Sequence, residues 1–347
     1  MVRIFGPSTP MASAAVVGAN GYLGGELLRL LSYHPHLDVT AAVSRSQAGK
    51  TVGEMLPSVE RFSDLTLTAT ADALDADIVF LAQGAGEAMG LVPTLLERGI
   101  RVVDLGPDYR LPDAAEYARV YGRDHTDASR LAEAVYGVPE LFGDKVRAAR
   151  LVANPGCYPT ATLLALAPLA EAGALHGPVV VDAKSGTSGA GAQPTVDAHH
   201  PEAAETVRPY GVPEHRHVPE MAAAFGRLGL PKVPIVFVPH LVPLVRGILC
   251  SIYSPADGGV DVSTWVALYR ARYGGSRFVR IGGVPRLPWA QGTNRCYLSV
   301  QSASGAPVVF SAIDNLGKGG AAQAIQNANL MLGFDEAAGL AHPGYGV

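Results

Sequence analysis

Cysteine is scarce: Cys157, Cys250 and Cys296 are the only three in 347 residues, an odd set with no CxxC pair. A disulfide framework and a cysteine-rich zinc site are therefore not expected, and a reducing cytoplasm is the expected compartment. Charge is sparse as well. Asp, Glu, Lys and Arg make up 17% of the chain, the formal net charge is -4, and the basic residues are scattered. Neither a nucleic acid nor an anionic membrane is expected as a partner on that balance. No run approaches the roughly 20 apolar residues that span a bilayer. The first ten residues lack the apolar core of a secretory signal, and Met11 offers a second start, so the leader 1–11 is expected to be an extension outside the fold. What is abundant is apolar content, at 48%, in a chain longer than one core usually supports. A globular protein of two domains is expected.

Ala14 to Gly18 has the character of a short apolar strand that runs into Gly18-Ala19-Asn20-Gly21-Tyr22-Leu23-Gly24-Gly25, and Glu26 to Leu31 has helical apolar spacing. Further strands are expected over Leu37 to Val43, Asp77 to Ala82 and Ile100 to Leu105, with a helical pattern from Leu91 to Arg98. This alternation implies an α/β, Rossmann-type, doubly wound parallel sheet. Beyond Val152 the pattern changes. A helix opening at Cys157, a strand at Val179 to Ala183 and half-buried strands at Ile235 to Leu241, Gly247 to Tyr253, Arg295 to Gln301 and Val308 to Ala312 imply an α+β domain on a mixed, largely antiparallel sheet. The expected boundaries are 1–156 for the nucleotide-type domain and 157–315 for a catalytic and dimerisation domain. Residues 316–347, with a helical pattern from Gly319 to Leu332, are expected to return to the first domain.

Glycines 18, 21 and 24 form a GxxGxxG turn between strand and helix, where a pyrophosphate approaches the backbone and meets helix N–H groups. At the end of the second strand, where an NAD enzyme carries an acidic residue, the chain has Ser44-Arg45-Ser46. An arginine between hydroxyls suits a 2′-phosphate, so NADP(H) is the expected cofactor. Cys157 stands in Asn154-Pro155-Gly156-Cys157-Tyr158-Pro159-Thr160, at a helix N-terminus where the dipole favours the nucleophilic thiolate. His215 and His217, followed by Glu220, supply imidazole for acid–base work. Adding His199 and His200 gives no standard zinc spacing, and no metal is expected. The loop Ser185 to Gly191 resembles an anion cradle, and Arg110 is suited to a phosphate or carboxylate.

Together these motifs describe an aldehyde dehydrogenase that works through a thioester. The chain resembles the N-acetyl-gamma-glutamyl-phosphate reductase family of arginine biosynthesis, related to aspartate-semialdehyde dehydrogenase. The resemblance rests on Gly18-Ala19-Asn20-Gly21-Tyr22, Asp108-Tyr109-Arg110-Leu111, Tyr136-Gly137-Val138-Pro139-Glu140, the Cys157 turn, Ser185 to Gly191, His215-Arg216-His217-Val218-Pro219-Glu220 and Ile313-Asp314-Asn315-Leu316. It implies that Cys157 is the nucleophile and that His215 or His217 is the acid–base. It also implies that Gly18, Asn20, Gly21, Tyr22, Leu23, Ser44, Arg45, Ser46 and Asn315 line the NADP(H) site. Arg110, Ser185, Ser188 and Glu220 are expected on the substrate side. The implied partners are a small acyl phosphate, inorganic phosphate and further copies of the chain, as a dimer or tetramer.

Two departures stand out: Leu81-Ala82-Gln83-Gly84-Ala85-Gly86, where the family commonly has Leu-Pro-His-Gly, and Gly317, where valine is usual. One alternative is a carrier-linked aminoadipyl-phosphate reductase of lysine biosynthesis, which Ala198 to Glu202 resembles, although the scattered charge provides no basic rim for an acidic carrier. The other is a non-catalytic NADP-binding sensor, which has no need of a paired cysteine and histidine.

Overall fold

The computed structural model describes residues 11–175, 177–255, 261–303 and 306–346, so most of the expected leader lies outside the described residues. The chain forms two compact units: the part ending at Asn154 together with Ala321–Ala341, and Pro155–Gly320 together with the tail from His342.

The first unit holds β1 (Ala12–Val17), α1 (Tyr22–Leu31), β2 (Leu37–Val43), α2 (Val52–Met55), β3 (Ile78–Leu81), α3 (Val92–Glu97), β4 (Arg101–Asp104), α4 (Ala114–Tyr121), β5 (Val135–Tyr136), α5 (Pro139–Ala148) and β6 (Leu151–Ala153). Its six strands run in the order β2-β1-β3-β4-β6-β5, all neighbours parallel. Strands such as Ile78-Val79-Phe80-Leu81 are apolar at every position and fully buried, as expected where helices cover both faces. The strand order reverses beside β1, and the crevice at the carboxyl ends of β1 and β3 is where such sheets take ligands. The unit is completed by a late helix, Ala322–Met331, packed on α1, α5 and β4. Its buried amides tie it down: Asn329 Oδ1 lies 2.9 Å from His34 Nε2, and Asn327 Nδ2 donates to the Gly137 carbonyl at 2.9 Å.

The second unit contains α6 (Cys157–Glu171), β7 (Val179–Ser185), α7 (His200–Ala203), β8 (Arg208–Pro209), α8 (His217–Arg227), β9 (Ile235–Leu241), β10 (Ile248–Tyr253), α9 (Val262–Tyr273), β11 (Val279–Ile281), α10 (Leu287–Ala290), β12 (Cys296–Ala303) and β13 (Ala306–Ile313). The late helix of the first unit is thus α11. The order is β11-β12-β13-β10-β7-β9-β8, parallel at β11/β12 and β7/β9 and antiparallel elsewhere, the mixed sheet expected from sequence.

Helix α6 is apolar on every side and is buried from Tyr158 to Ala170 against β10, β13, α8 and α9. Its internal Pro168 has no N–H for the carbonyl of Leu164. The Tyr273 hydroxyl of α9 donates to that carbonyl instead, at 2.8 Å. On β7 burial alternates: Val179, Val181 and Ala183 are buried, whereas Val180, Asp182 and Lys184 on the opposite face are half-exposed.

Candidate active site

In the first unit the turn after β1 is built for close approach. Gly18 has φ +85, and a Cβ on it would lie 2.3 Å from the Ala82 carbonyl oxygen; a Cβ on Gly24 would lie 2.2 Å from the Gly18 oxygen. Both positions therefore demand glycine. Gly21 is the N-cap of α1, and no side chain caps that helix, which leaves its positive end available to an anion. Asn20 is anchored on both sides: Ser44 Oγ donates to its Oδ1 at 2.9 Å, and its Nδ2 donates to Ser46 Oγ at 3.2 Å. Tyr22 is exposed and Leu23 half-exposed at the same mouth, and Arg45 projects into solvent with its Nη2 2.7 Å from Glu87 Oε2. An uncapped helix end, a turn built on glycines and an exposed cation fit a dinucleotide carrying phosphate groups.

In the second unit Cys157 is the first residue of α6, Gly156 is the N-cap, and no acidic residue or capping side chain occupies the first turn. The helix dipole is therefore unopposed by its own first turn at the thiol. Cys157 is the one half-exposed thiol of the three; Cys250 and Cys296 are fully buried, and burial pushes the Cys250 thiol up. The turn itself is fixed by two groups. Glu220 Oε1 accepts from the Gly156 N–H at 2.8 Å, and Thr160 Oγ1 donates to the Gly156 carbonyl at 3.0 Å. Gly319 lies against Cys157, since a Cβ on it would sit 2.8 Å from the Cys157 Cβ.

The two histidines part company. His217 opens α8 and is buried, with its Nε2 2.6 Å from where a Gly156 Cβ would be. Its ring takes the space that glycine leaves beside Cys157. His215 sits between the rings of Tyr158, Tyr210, Phe237 and His217, and its Nδ1 accepts from the His217 backbone N–H at 3.1 Å. Burial, with the Arg216 charge second, lowers His215 to about 4. His215 is thus a neutral brace for the start of α8.

Two family models match in chain order: the semialdehyde dehydrogenase NAD binding domain over residues 13–149 and the semialdehyde dehydrogenase dimerisation domain over 157–315. The N-acetyl-gamma-glutamyl-phosphate reductase of Halorhodospira halophila is 46% identical over 339 residues, covering 95% of this chain and 98% of its own. That of Methanopyrus kandleri is 46% identical over 346 residues, with 96% and 99% covered. The chain belongs to the N-acetyl-gamma-glutamyl-phosphate reductase family. Among solved structures, aspartate semialdehyde dehydrogenase II of Vibrio cholerae shares the fold at a TM-score of 0.71 and 18% identity, over 93% of this chain and 99% of that one.

Several expected site residues of this reductase-family chain are engaged within their own units. Arg110 is buried, donating from Nε to the Asn154 carbonyl at 2.9 Å and from Nη2 to the Leu105 carbonyl at 2.7 Å. Asn154 is held again through its side chain, which accepts from Asn327 Nδ2 at 3.0 Å. Asn315 Oδ1 accepts from the Gly247 N–H at 2.8 Å, and its Nδ2 donates to Ser188 Oγ at 2.9 Å. Ser185 Oγ donates to the Gly186 carbonyl at 3.0 Å. Glu220 holds the Cys157 turn, a duty that spacing alone did not reveal although His217 and Glu220 are i and i+3 on one helix. At Gly317 a Cβ would lie 2.3 Å from the Thr293 carbonyl oxygen, so this backbone excludes the family's usual valine. Sequence reasoning missed Tyr210, whose hydroxyl meets that of Tyr158 at 2.9 Å, as well as Asn327 and Gly319. Among the described residues no group of three or more His, Cys, Asp or Glu could hold a metal ion, and no helix is long and apolar enough to cross a membrane.

Proposed function

We propose that this chain reduces N-acetyl-gamma-glutamyl phosphate to N-acetyl-L-glutamate 5-semialdehyde and phosphate with NADPH, and that Cys157 and His217 carry the chemistry. The observation that carries this reading is the His217 ring packed on Gly156, next to the one half-exposed thiol at an uncapped helix N-terminus. Cys157 Sγ, as thiolate, attacks the acyl carbon, and the bond to phosphate breaks to leave a thioester. Backbone N–H groups of the first turn of α6 face the developing oxyanion. NADPH, when bound, supplies the hydride that reduces the thioester carbonyl. His217 gives a proton to the thiohemiacetal oxygen and takes it back as the C–S bond breaks, releasing the aldehyde and the thiolate. Gly18, Asn20, Gly21, Tyr22, Leu23, Ser44, Arg45 and Ser46 hold the dinucleotide, with Arg45 on the 2′-phosphate; Asn315 is assigned to the same cofactor. Arg110, Ser185 and Ser188 stand on the substrate side, whereas Glu220 acts on the Cys157 turn.

The assembly is a homo-oligomer, a dimer or tetramer, seated on the sheet face opposite α6. That face exposes Val236 and Tyr253 at 48% and 42%, beside half-buried Val180 and Leu249, and the family description of this region as a dimerisation domain supports a second copy there. The cytoplasm suits three thiols with no disulfide among them.

The test is phosphate-dependent reduction of NADP+ with N-acetylglutamate semialdehyde, run beside the carrier-linked aminoadipate semialdehyde. Turnover confined to the first substrate is expected. Preference for the second would move the chain to the carrier-linked branch, and NADP+ binding without turnover of either would make it a sensor.

A further inference from the structure

Glu87 follows the loop Gln83 to Gly86 that departs from the family pattern, and the fold takes care over where this carboxylate goes. Asp108 accepts from the Gly86 N–H at 2.8 Å and from the Ala88 N–H at 3.0 Å, so the backbone is pinned on both sides of Glu87. Asp108 is in turn held by the Tyr117 hydroxyl at 2.7 Å. Glu87 Oε2 then receives two donors, Gln83 Nε2 at 3.1 Å and Arg45 Nη2 at 2.7 Å. Because β1 lies between β2 and β3, this ion pair joins the loops on either side of the glycine turn. It remains open to a ligand, with Arg45 78% and Glu87 40% exposed at the side chain.

The charge arrangement is unusual for a nucleotide site. An NAD-type sheet places a carboxylate at the end of the second strand to accept from the ribose 2′-hydroxyl, and an NADP-type sheet places a cation there. Here the second strand supplies the cation and the third-strand loop brings a carboxylate onto it. A 2′-phosphate approaching Arg45 meets an anion already bonded to its partner, whereas a 2′-hydroxyl meets an acceptor.

We infer that Glu87 is a specificity-determining residue of the cofactor site, which competes with a 2′-phosphate for Arg45 and accepts from a ribose 2′-hydroxyl, so that NAD(H) binds beside NADP(H). The inference rests on the reading of Arg45 as the 2′-phosphate ligand. Calorimetric titration of the full chain with NADP+ and with NAD+ tests it, using Glu87→Gln, Arg45→Gln and the double variant. Removing an exposed competing ion pair should tighten NADP+ about fivefold and weaken NAD+ by a comparable factor. The NADP+ gain should vanish when Arg45 is already glutamine. The inference is overturned when Arg45→Gln weakens NADP+ about tenfold relative to NAD+ but Glu87→Gln leaves the ratio within about twofold of wild type. When Arg45→Gln itself leaves the ratio unchanged, the Arg45 reading fails and the inference falls with it.

Discussion

Gly156→Ala isolates the geometry on which the proposed chemistry depends. Gly156 has φ -65 and ψ 156, extended backbone open to any L residue, so a methyl group there brings no backbone strain. Its effect is steric and local. The added Cβ would lie 2.6 Å from His217 Nε2, 3.0 Å from Cε1 and 3.1 Å from Cδ2. Ordinary contact begins near 3.4 Å, so the imidazole must retreat by about 0.8 Å. A displacement of about 1 Å at a reacting group costs on the order of 100-fold in rate, or about 2.7 kcal/mol of barrier. Crowding a packed site costs about 1–3 kcal/mol of stability, which lowers Tm by several degrees without unfolding the chain. The assay compares kcat with the NADP+ dissociation constant and with the rate of Cys157 alkylation. Turnover should fall on the order of 100-fold while binding and alkylation change less than about threefold. A folded variant with kcat near wild type would refute the assignment of His217 to the reacting centre.

Cys157→Ser should bind NADP+ as wild type does yet lack turnover, and iodoacetamide should label Cys157 ahead of Cys250 and Cys296 in the native protein; residual reductase activity or uniform labelling argues against covalent catalysis. Glu220→Ala leaves the Gly156 N–H without its acceptor, at a cost of about 1–3 kcal/mol, and should slow alkylation and kcat about tenfold. Glu220→Gln retains an acceptor oxygen and should recover most of that loss; equal defects in the two variants would rule out the hydrogen bond as the cause. Burial, with the Asp108 charge second, raises Asp104 to about 7. The folded carboxyl then holds its proton above the unfolded value near 3.9, so this group's contribution is complete below about pH 4 and is lost as pH rises through about 7. Buried His34, lowered to about 4, acts in the opposite sense and is common to both proteins. The Tm of Asp104→Asn minus that of wild type should consequently grow from about pH 5 to about pH 8, and a flat difference would contradict the burial argument. Val236→Glu on the open sheet face should lower the oligomer's mass in light scattering, and an unchanged mass would place the interface elsewhere.

The parts of the site visible in the sequence are those that backbone chemistry fixes over a few residues. Gly18 and Gly24 are required by close approach, and Cys157 by its place on the first turn of a helix; each is a local pattern. The sequence places His215 and His217 two residues apart, but which ring faces Gly156 depends on the direction from which α8 reaches the turn, which no local pattern carries. The carboxylate of Glu87 reaches Arg45 across 42 positions of chain, and Asn327 reaches Asn154 across 173, distances at which no periodicity carries information. Helix α9 escapes the sequence reading although Trp265, Tyr269 and Tyr273 recur at four-residue spacing, because Val266, Ala267 and Leu268 spread apolar character around the helix and blur the stripe. Residue type alone points Arg110 at an anionic substrate group, because arginine suits anions, yet the fold also gives it two carbonyls to hold.

The chain passes from the first unit to the second after Asn154, returns at Ala321 and leaves again at His342. A ribosome therefore delivers the first unit in two instalments. The helix that buries Asn327 and Asn329 emerges only after the whole β7–β13 sheet has been translated. Until then His34 Nε2 and the Gly137 carbonyl lack these amides, and the nucleotide-type sheet waits, one helix short, for a segment made after the second unit's strands.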